Sequence, residues 1–446
     1  MTQTMKNIVV ISLNAVGHVN GCRGATIDSL ISRGHRVYFL LEKAFEGQLR
    51  PYGFEEIIYE VSNDRNEPTK KPGEQMANDL LSYKILGKMT VEEKLRQMLK
   101  YFVKSDTFLS YYQQVEISLK RLMRQIQIDL FIIDDVYIHP AIYYSNIPVI
   151  KCITSAPFIF FASDPALPPP FTGLPSNADP DEMNKCRQML ADMMKKNAFA
   201  DYIEKLGYEK YPDDQRELEK RIAFNIYAYP KELNHWKIES AHPRWFNLEV
   251  FNRNIQYDTI DLEELVGQDF YHNDLDGKFS GKWIYVSMGS MGSVDLELMQ
   301  RLTLILAKTQ HKYIISKGPR HDEYELPGKN MWGARFIPQI KILPLIDLVI
   351  THGGNNTVTE TFAQGKPMII MPLFCDQLDN GQRLVETGLG VCLEPYDFDE
   401  QQLLSSIDRL LMDKKLADKL YRASERIKKS EAHRLFGEKV EQLMNE

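Results

Sequence analysis

A chain of 446 residues is longer than one domain usually grows, so two or three domains are expected and a single small module is excluded. Its 43% hydrophobic and 26% charged residues suit large packed cores and exclude wholesale disorder. The formal net charge of −7, from 54 Lys and Arg against 61 Asp and Glu, leaves no bulk positive field to recruit nucleic acid or anionic lipid.

The chain opens on Ile8-Val-Val-Ile-Ser12, a β-branched run that reads as a first strand and not as a signal peptide. A glycine-bearing loop, Ile27, Leu30 and Ile31 at helical spacing, and Gly34 as a stop complete a βα unit. Val37 to Leu41, Leu130-Phe-Ile-Ile133 and Val149 to Ile153 are further apolar runs of parallel-sheet type. Between them, Met76 to Gln127 reads as helical, and so does Asp181 to Ile222. From 228 to about 275 the pattern loosens into an interdomain connection. A second α/β series follows, with strands at Trp283 to Ser287, Tyr313 to Ile315, Leu348 to Ile350 and Met368 to Met371, and the chain is helical from an N-cap at Asp399. The expected units are an N-terminal domain over 1–240, a linker over 241–276, a C-terminal domain over 277–422 and a terminal helix over 423–446 that packs back on the first domain.

No apolar stretch reaches the roughly 18 residues a bilayer span needs, and with no signal peptide the chain is expected to be cytoplasmic. The five cysteines are scattered and form no C-x-x-C pair, so neither a disulfide framework nor a zinc knuckle is encoded. The acidic Asp179-Pro-Asp181 lies in a Pro-rich loop with no preceding strand and is read as a decoy for a metal motif.

The richest segment is Thr351-His-Gly-Gly-Asn-Asn-Thr357, a small-residue turn between a buried strand and a helix. Glycines let a ligand approach the backbone, and the free N–H groups and dipole of a helix N-terminus favour an anion, with phosphate the natural guest. His352, Asn356 and Thr357 add side-chain donors, and Glu360 offers acceptors suited to ribose hydroxyls. Phe336-Ile-Pro-Gln339 precedes this turn and Pro372-Leu-Phe-Cys-Asp-Gln377 follows it, both at expected carboxyl ends of strands.

In that order these segments, continued to Asn380, resemble the signature of the family 1 UDP-glycosyltransferases. Val16-Gly-His-Val-Asn20, with Arg33-Gly-His35 and Val37, resembles the family's opening pattern. Three positions depart from it: Gly21 in place of a proline, and Phe336 and Asn355 in place of the tryptophans of many members. The resemblance implies the GT-B fold, two facing Rossmann-like α/β domains with a cleft between them. It also implies an inverting transfer from a UDP-sugar, with His18 as general base oriented by a carboxylate. Asp134 is favoured for that carboxylate and Asp135 is the second choice, since adjacent strand residues face opposite sides and only one can meet His18. On the donor side it implies Phe336 under the uracil, Gln339 near the nucleoside and Glu360 on the ribose. Ser290, His352, Gly354, Asn355, Asn356 and Thr357 would lie along the diphosphate, and Asp376 and Gln377 on the sugar. No cofactor and no metal is then required. UDP-glucose is the expected donor, and Phe158 and Phe160 point to a small lipophilic hydroxylated acceptor such as a flavonoid or xenobiotic. A monomer is expected, with no nucleic-acid or membrane partner. A non-catalytic carrier on the same fold, a UDP-sugar epimerase and a lipid-intermediate transferase are the alternatives.

Overall fold

The structure, a computed structural model, describes residues 5–446 except 61–73, 105, 136, 162–163, 196–202, 204–218, 236–237, 239–243 and 252–259. Two parallel sheets organise it. The first contains β1 (Asn7–Ser12), β2 (Arg36–Glu42), β3 (Glu55–Tyr59), β4 (Leu130–Asp134), β5 (Val149–Ile153), β6 (Ile222–Tyr227) and β7 (Trp245–Asn247), in the order β3-β2-β1-β4-β5-β6-β7. The second contains β8 (Trp283–Ser287), β9 (Lys312–Ser316), β10 (Met331–Ala334), β11 (Leu348–Thr351), β12 (Met368–Ile370) and β13 (Val391–Cys392), in the order β10-β9-β8-β11-β12-β13. Every pairing is parallel. This is the α/β class expected.

The central strands are apolar throughout because helices cover both faces of each sheet. Ile8, Val9 and Val10 of β1 are fully buried, as are Leu348, Val349 and Ile350 of β11. In each sheet the strand order reverses once, between β1 and β4 and between β8 and β11. Ligands of open α/β sheets bind outside the carboxyl ends at such reversals.

The helices that matter here are α1 (Val16–Thr26), α2 (Glu74–Ser82), α3 (Val91–Lys104), α4 (Asp106–Gln125), α5 (Pro180–Lys195), α6 (Leu296–Leu306), α7 (Asn355–Ala363), α8 (Asp376–Glu386), α9 (Glu400–Met412), α10 (Lys414–Lys428) and α11 (Ala432–Asn445). Asp399 caps α9 as expected, and Gln402 answers it in a reciprocal capping box. Asp179, the decoy, caps α5 by accepting from the N–H groups of Asp181 and Glu182.

Two expectations need correction. The helical stretch read up to Ile222 ends in a strand, because Ile222-Ala-Phe-Asn-Ile-Tyr227 has the period-two burial of β6. The connection read over 241–276 contains β7, which pairs with β6 and lengthens the first sheet.

The last helix returns to the first sheet. Phe436 and Val440 of α11 are fully buried in the core that contains Ile8, Phe39 and Phe224. The Arg33 guanidinium donates to both Glu441 oxygens at 3.0 Å and to the Arg434 carbonyl, while His35 lies 3.5 Å from the same carboxylate. A Cβ at Gly437 would sit 2.4 Å from Arg33 Nε, so glycine is what lets the helix dock this closely. Arg33-Gly-His35 therefore anchors the C-terminus rather than lining the cleft.

Candidate active site

The turn after β11 is built by small residues. Gly353 has φ +86°, a left-handed conformation that disfavours any other residue, and it delivers the chain to the start of α7 at Asn355. The His352 ring fills the space above two further glycines. A Cβ at Gly289 or Gly354 would stand 2.6 or 2.5 Å from its Nε2. His352 Nδ1 lies 3.2 Å from Thr351 Oγ1 and 3.4 Å from the Ser287 carbonyl. Burial pushes His352 down to about 4, so the ring is neutral at pH 7. Ser290 lies half-buried on the single helical turn after β8.

Beneath the turn, Gln339 Nε2 donates to Glu360 Oε2 at 2.7 Å, and its carbonyl accepts from the Tyr285 hydroxyl at 3.2 Å. Glu360 and Thr357 are buried, whereas Phe336 is 53% exposed with the Arg335 guanidinium over its ring at 5.3 Å. Asn380 Nδ2 donates to the Gly353 carbonyl and pins the turn from α8.

Across the cleft, His18 stands on the first turn of α1 and Asp134 ends β4. His18 Nδ1 is 2.8 Å from Asp134 Oδ2. Burial by itself lowers the imidazole, but the charge and hydrogen bond of Asp134, with Asp376 and Asp135 beyond, outweigh it and hold His18 above its ordinary range. Asp135 points the other way, as strand alternation requires. It accepts from Tyr111 at 2.6 Å and from Tyr112, both on α4, and does not cap the following helix.

The two halves meet over this cleft. Asn355 Nδ2 donates to the carbonyls of Thr154 and Ala228, and Asn356 Nδ2 to the carbonyl of Gly17. Asp376 accepts from the Ala156 N–H at 2.9 Å, and Asp379 from those of Phe171 and Gly173. On the far side the Arg426 guanidinium joins Glu232 and Glu249 of the first half.

Comparison with known proteins gives this arrangement its place. Residues 281–431 match the family described as UDP-glucoronosyl and UDP-glucosyl transferase. The NDP-glycosyltransferase YjiC of Bacillus subtilis is 22% identical over 98% of this chain and 97% of its own. A UDP-glucuronosyltransferase of Pleuronectes platessa is 34% identical, over 22% of this chain and 21% of its own. Among solved structures, the glycotransferase of kitacinnamycin superposes with a TM-score of 0.71 at 16% identity, covering 99% of this chain and all of the other. SsfS6 of Streptomyces sp. SF2575, solved with thymidine diphosphate, gives 0.58 at 16% identity over 98% and 99%. Residues 281–431 carry that family's domain, and over its full length the chain is similar to a family 1 glycosyltransferase.

The chain thus has the GT-B fold, and its relatives support a glycosyltransferase that draws on a nucleotide-sugar. The second half gathers Phe336, Gln339, His352, Gly354, Asn356, Thr357 and Glu360 around one turn. Three anticipated residues have other partners as well. Asn355 spends its amide on the other half. Gln377 is buried, and its carbonyl accepts from the backbone N–H groups of Leu373 and Phe374, which holds the loop. Phe158 is a core residue, 4% exposed and edge-on to Tyr229 at 6.0 Å, on the short 3-10 helix Pro157–Phe161 after β5. The side chain of Phe160 lies outside the described residues. Thr154, just beyond β5, went unnoticed in the sequence, where only its place at the carboxyl end of a strand marks it. Among the described residues no helix is long and apolar enough to cross a membrane.

Proposed function

We propose that the transferase moves glucose from UDP-glucose to a hydroxyl of a small lipophilic acceptor, with inversion at the anomeric carbon. One observation carries this: a histidine whose Nδ1 is bound to a buried aspartate, set in the cleft opposite an anion-accepting helix N-terminus. With Nδ1 engaged, His18 Nε2 takes the acceptor proton as the acceptor oxygen attacks the anomeric carbon. The bond to the diphosphate breaks on the opposite face, and its electron pair stays on the leaving UDP. Asp134 stabilises the imidazolium that forms, as in other histidine–carboxylate pairs.

The leaving diphosphate meets the N–H groups and dipole of α7, with the neutral His352 as a further donor through Nε2 when Nδ1 accepts from Thr351. Fixed dipoles of this kind stabilise growing charge without reorganising. Glu360, oriented by Gln339, faces the ribose, and Phe336 offers its exposed face to the base. Asp376 lies beside the sugar site and would repel a uronate carboxylate, which favours a neutral hexose. The chemistry as written runs through protein groups alone, without a cofactor. The test is UDP release from UDP-glucose with a panel of phenols and flavonols, comparing wild type with His18→Ala and reading the anomeric configuration by NMR. Acceptor-dependent release, a β-linked product and its loss in His18→Ala are expected. A retained α configuration, or turnover with thymidine-diphosphate sugars alone, would sink the reading.

A further inference from the structure

The His18–Asp134 pair has a third member. Thr154 Oγ1 lies 2.7 Å from His18 Nδ1 and 2.6 Å from Asp134 Oδ2, closing a triangle whose third side is the 2.8 Å contact of the pair itself. A hydroxyl has one proton to give, and an ionised carboxylate only accepts. The Thr154 O–H therefore goes to Asp134, and the one Nδ1–H of His18 is shared between Asp134 Oδ2 and Thr154 Oγ1. That arrangement fixes the imidazole proton on Nδ1 and leaves Nε2 for the acceptor.

Two further observations give the threonine its meaning. A Cβ on Gly21 would meet Thr154 Cγ2 at 2.5 Å and Thr154 Cβ at 3.1 Å, so the residue standing where the family has proline is the one that makes room. Gly21 follows His18 by three positions on α1, on the same face of the helix. The Thr154 carbonyl also accepts from Asn355 Nδ2 at 3.2 Å, and Asn355 is the first residue of the donor helix α7. One residue thus touches the pair with its side chain and the donor turn with its backbone.

We propose that Thr154 is a positioning residue of this transferase, holding His18 and Asp134 in register with the donor turn, and that Gly21 exists to admit it. The inference rests on His18 being the base. A second hydrogen bond to the carboxylate restrains the pair, and a bond to a charged group is strong enough to change a rate about tenfold.

The experiment uses the full chain. Thr154→Val keeps the shape and removes the hydroxyl, and it is expected to lower kcat about tenfold while KM for UDP-glucose moves less than about twofold. Thr154→Ser should restore most of the loss. The proton NMR resonance of His18 Nδ1–H should shift and exchange faster in Thr154→Val and return in Thr154→Ser, a signature that needs no turnover. Gly21→Ala, which in an ordinary helix interior stabilises, should here lower kcat in the same way. Combining it with Thr154→Ser removes the methyl that the new Cβ would strike and should recover activity; this pair keeps the test available if Thr154→Val fails to fold. A folded Thr154→Val with unchanged kcat and an unmoved Nδ1 resonance overturns the proposal. Turnover surviving His18→Ala would instead overturn the base reading, and the resonance would still report whether Thr154 sets the imidazole.

Discussion

The two points where the strand order reverses share a topology and are furnished in opposite ways. At the end of β11 several polar groups are satisfied by near neighbours in the chain: Gln377 reaches back four residues, Gln339 reaches Glu360 across 21, and Asn380 reaches Gly353 across 27. At the end of β1 the contacts span 116 residues between His18 and Asp134 and 136 between Thr154 and His18. The turn after β11 draws much of its support from its own half, while Asn355 and Asn356 reach across to Thr154, Ala228 and Gly17. The ionisable pair exists only once α1, β4 and β5 have been brought together. A turn can be carried largely by a local motif, whereas a buried histidine–carboxylate pair depends on elements far apart in the chain.

Breaking the second region should cost the most activity. His18→Ala is expected to lower kcat about a thousandfold, the usual scale for a lost general base, with the melting temperature little changed; UDP release and a thermal melt check both. Asp134→Asn should lower kcat about a hundredfold, and its effect should not add to that of His18→Ala, because the two act as one unit. In the donor region the loss should appear in binding. Glu360→Gln is expected to raise KM for UDP-glucose about tenfold with kcat nearly unchanged, as read from initial rates.

The contact between the halves offers a comparison by pH. Burial lifts Asp379 to about 7 in spite of the N–H groups of Phe171 and Gly173. An unfolded aspartic acid loses its proton near pH 4, so the native state holds the extra proton between about pH 4 and about pH 7. Stability attributable to this group therefore falls as pH rises through that window. Asp379→Asn should flatten that part of the melting temperature against pH, and an unaltered slope would place the titration elsewhere. The smallest effect is expected from Arg426→Ala. Its guanidinium is partly exposed, and the loss of its contacts to Glu232 and Glu249 should cost about 1 kcal/mol or less in a denaturant titration.

The sequence was legible where a signal is local. Buried parallel strands such as β1, β4, β8 and β11 announce themselves as unbroken apolar runs, and Thr351 to Thr357 carries its own turn chemistry. Edge strands were not legible. Glu55-Glu-Ile-Ile-Tyr59 opens with two carboxylates, Met331-Trp-Gly-Ala334 is interrupted by glycine, and β13 has only two residues, so each is a strand by virtue of the neighbour it pairs with. The choice between Asp134 and Asp135 was half legible: alternation says that only one can face His18, but the tyrosines of α4 that take Asp135 are over 20 residues away. Gln377 shows the converse, a motif residue whose type was readable and whose direction was not. Thr154 had no motif at all, since its role comes from two partners on other elements and from the absence of a side chain at Gly21.

The docking of α11 on the first sheet sets an order of assembly. Phe436 and Val440 complete a core whose other members, Ile8, Phe39 and Phe224, are made first. On the ribosome the first half must wait, with part of its apolar face uncovered, until the second half has been synthesised. Nascent chains halted before α11 should therefore be more open to proteolysis and chaperone capture in the first half than in the second, so that the domain made earliest is the last to be sealed.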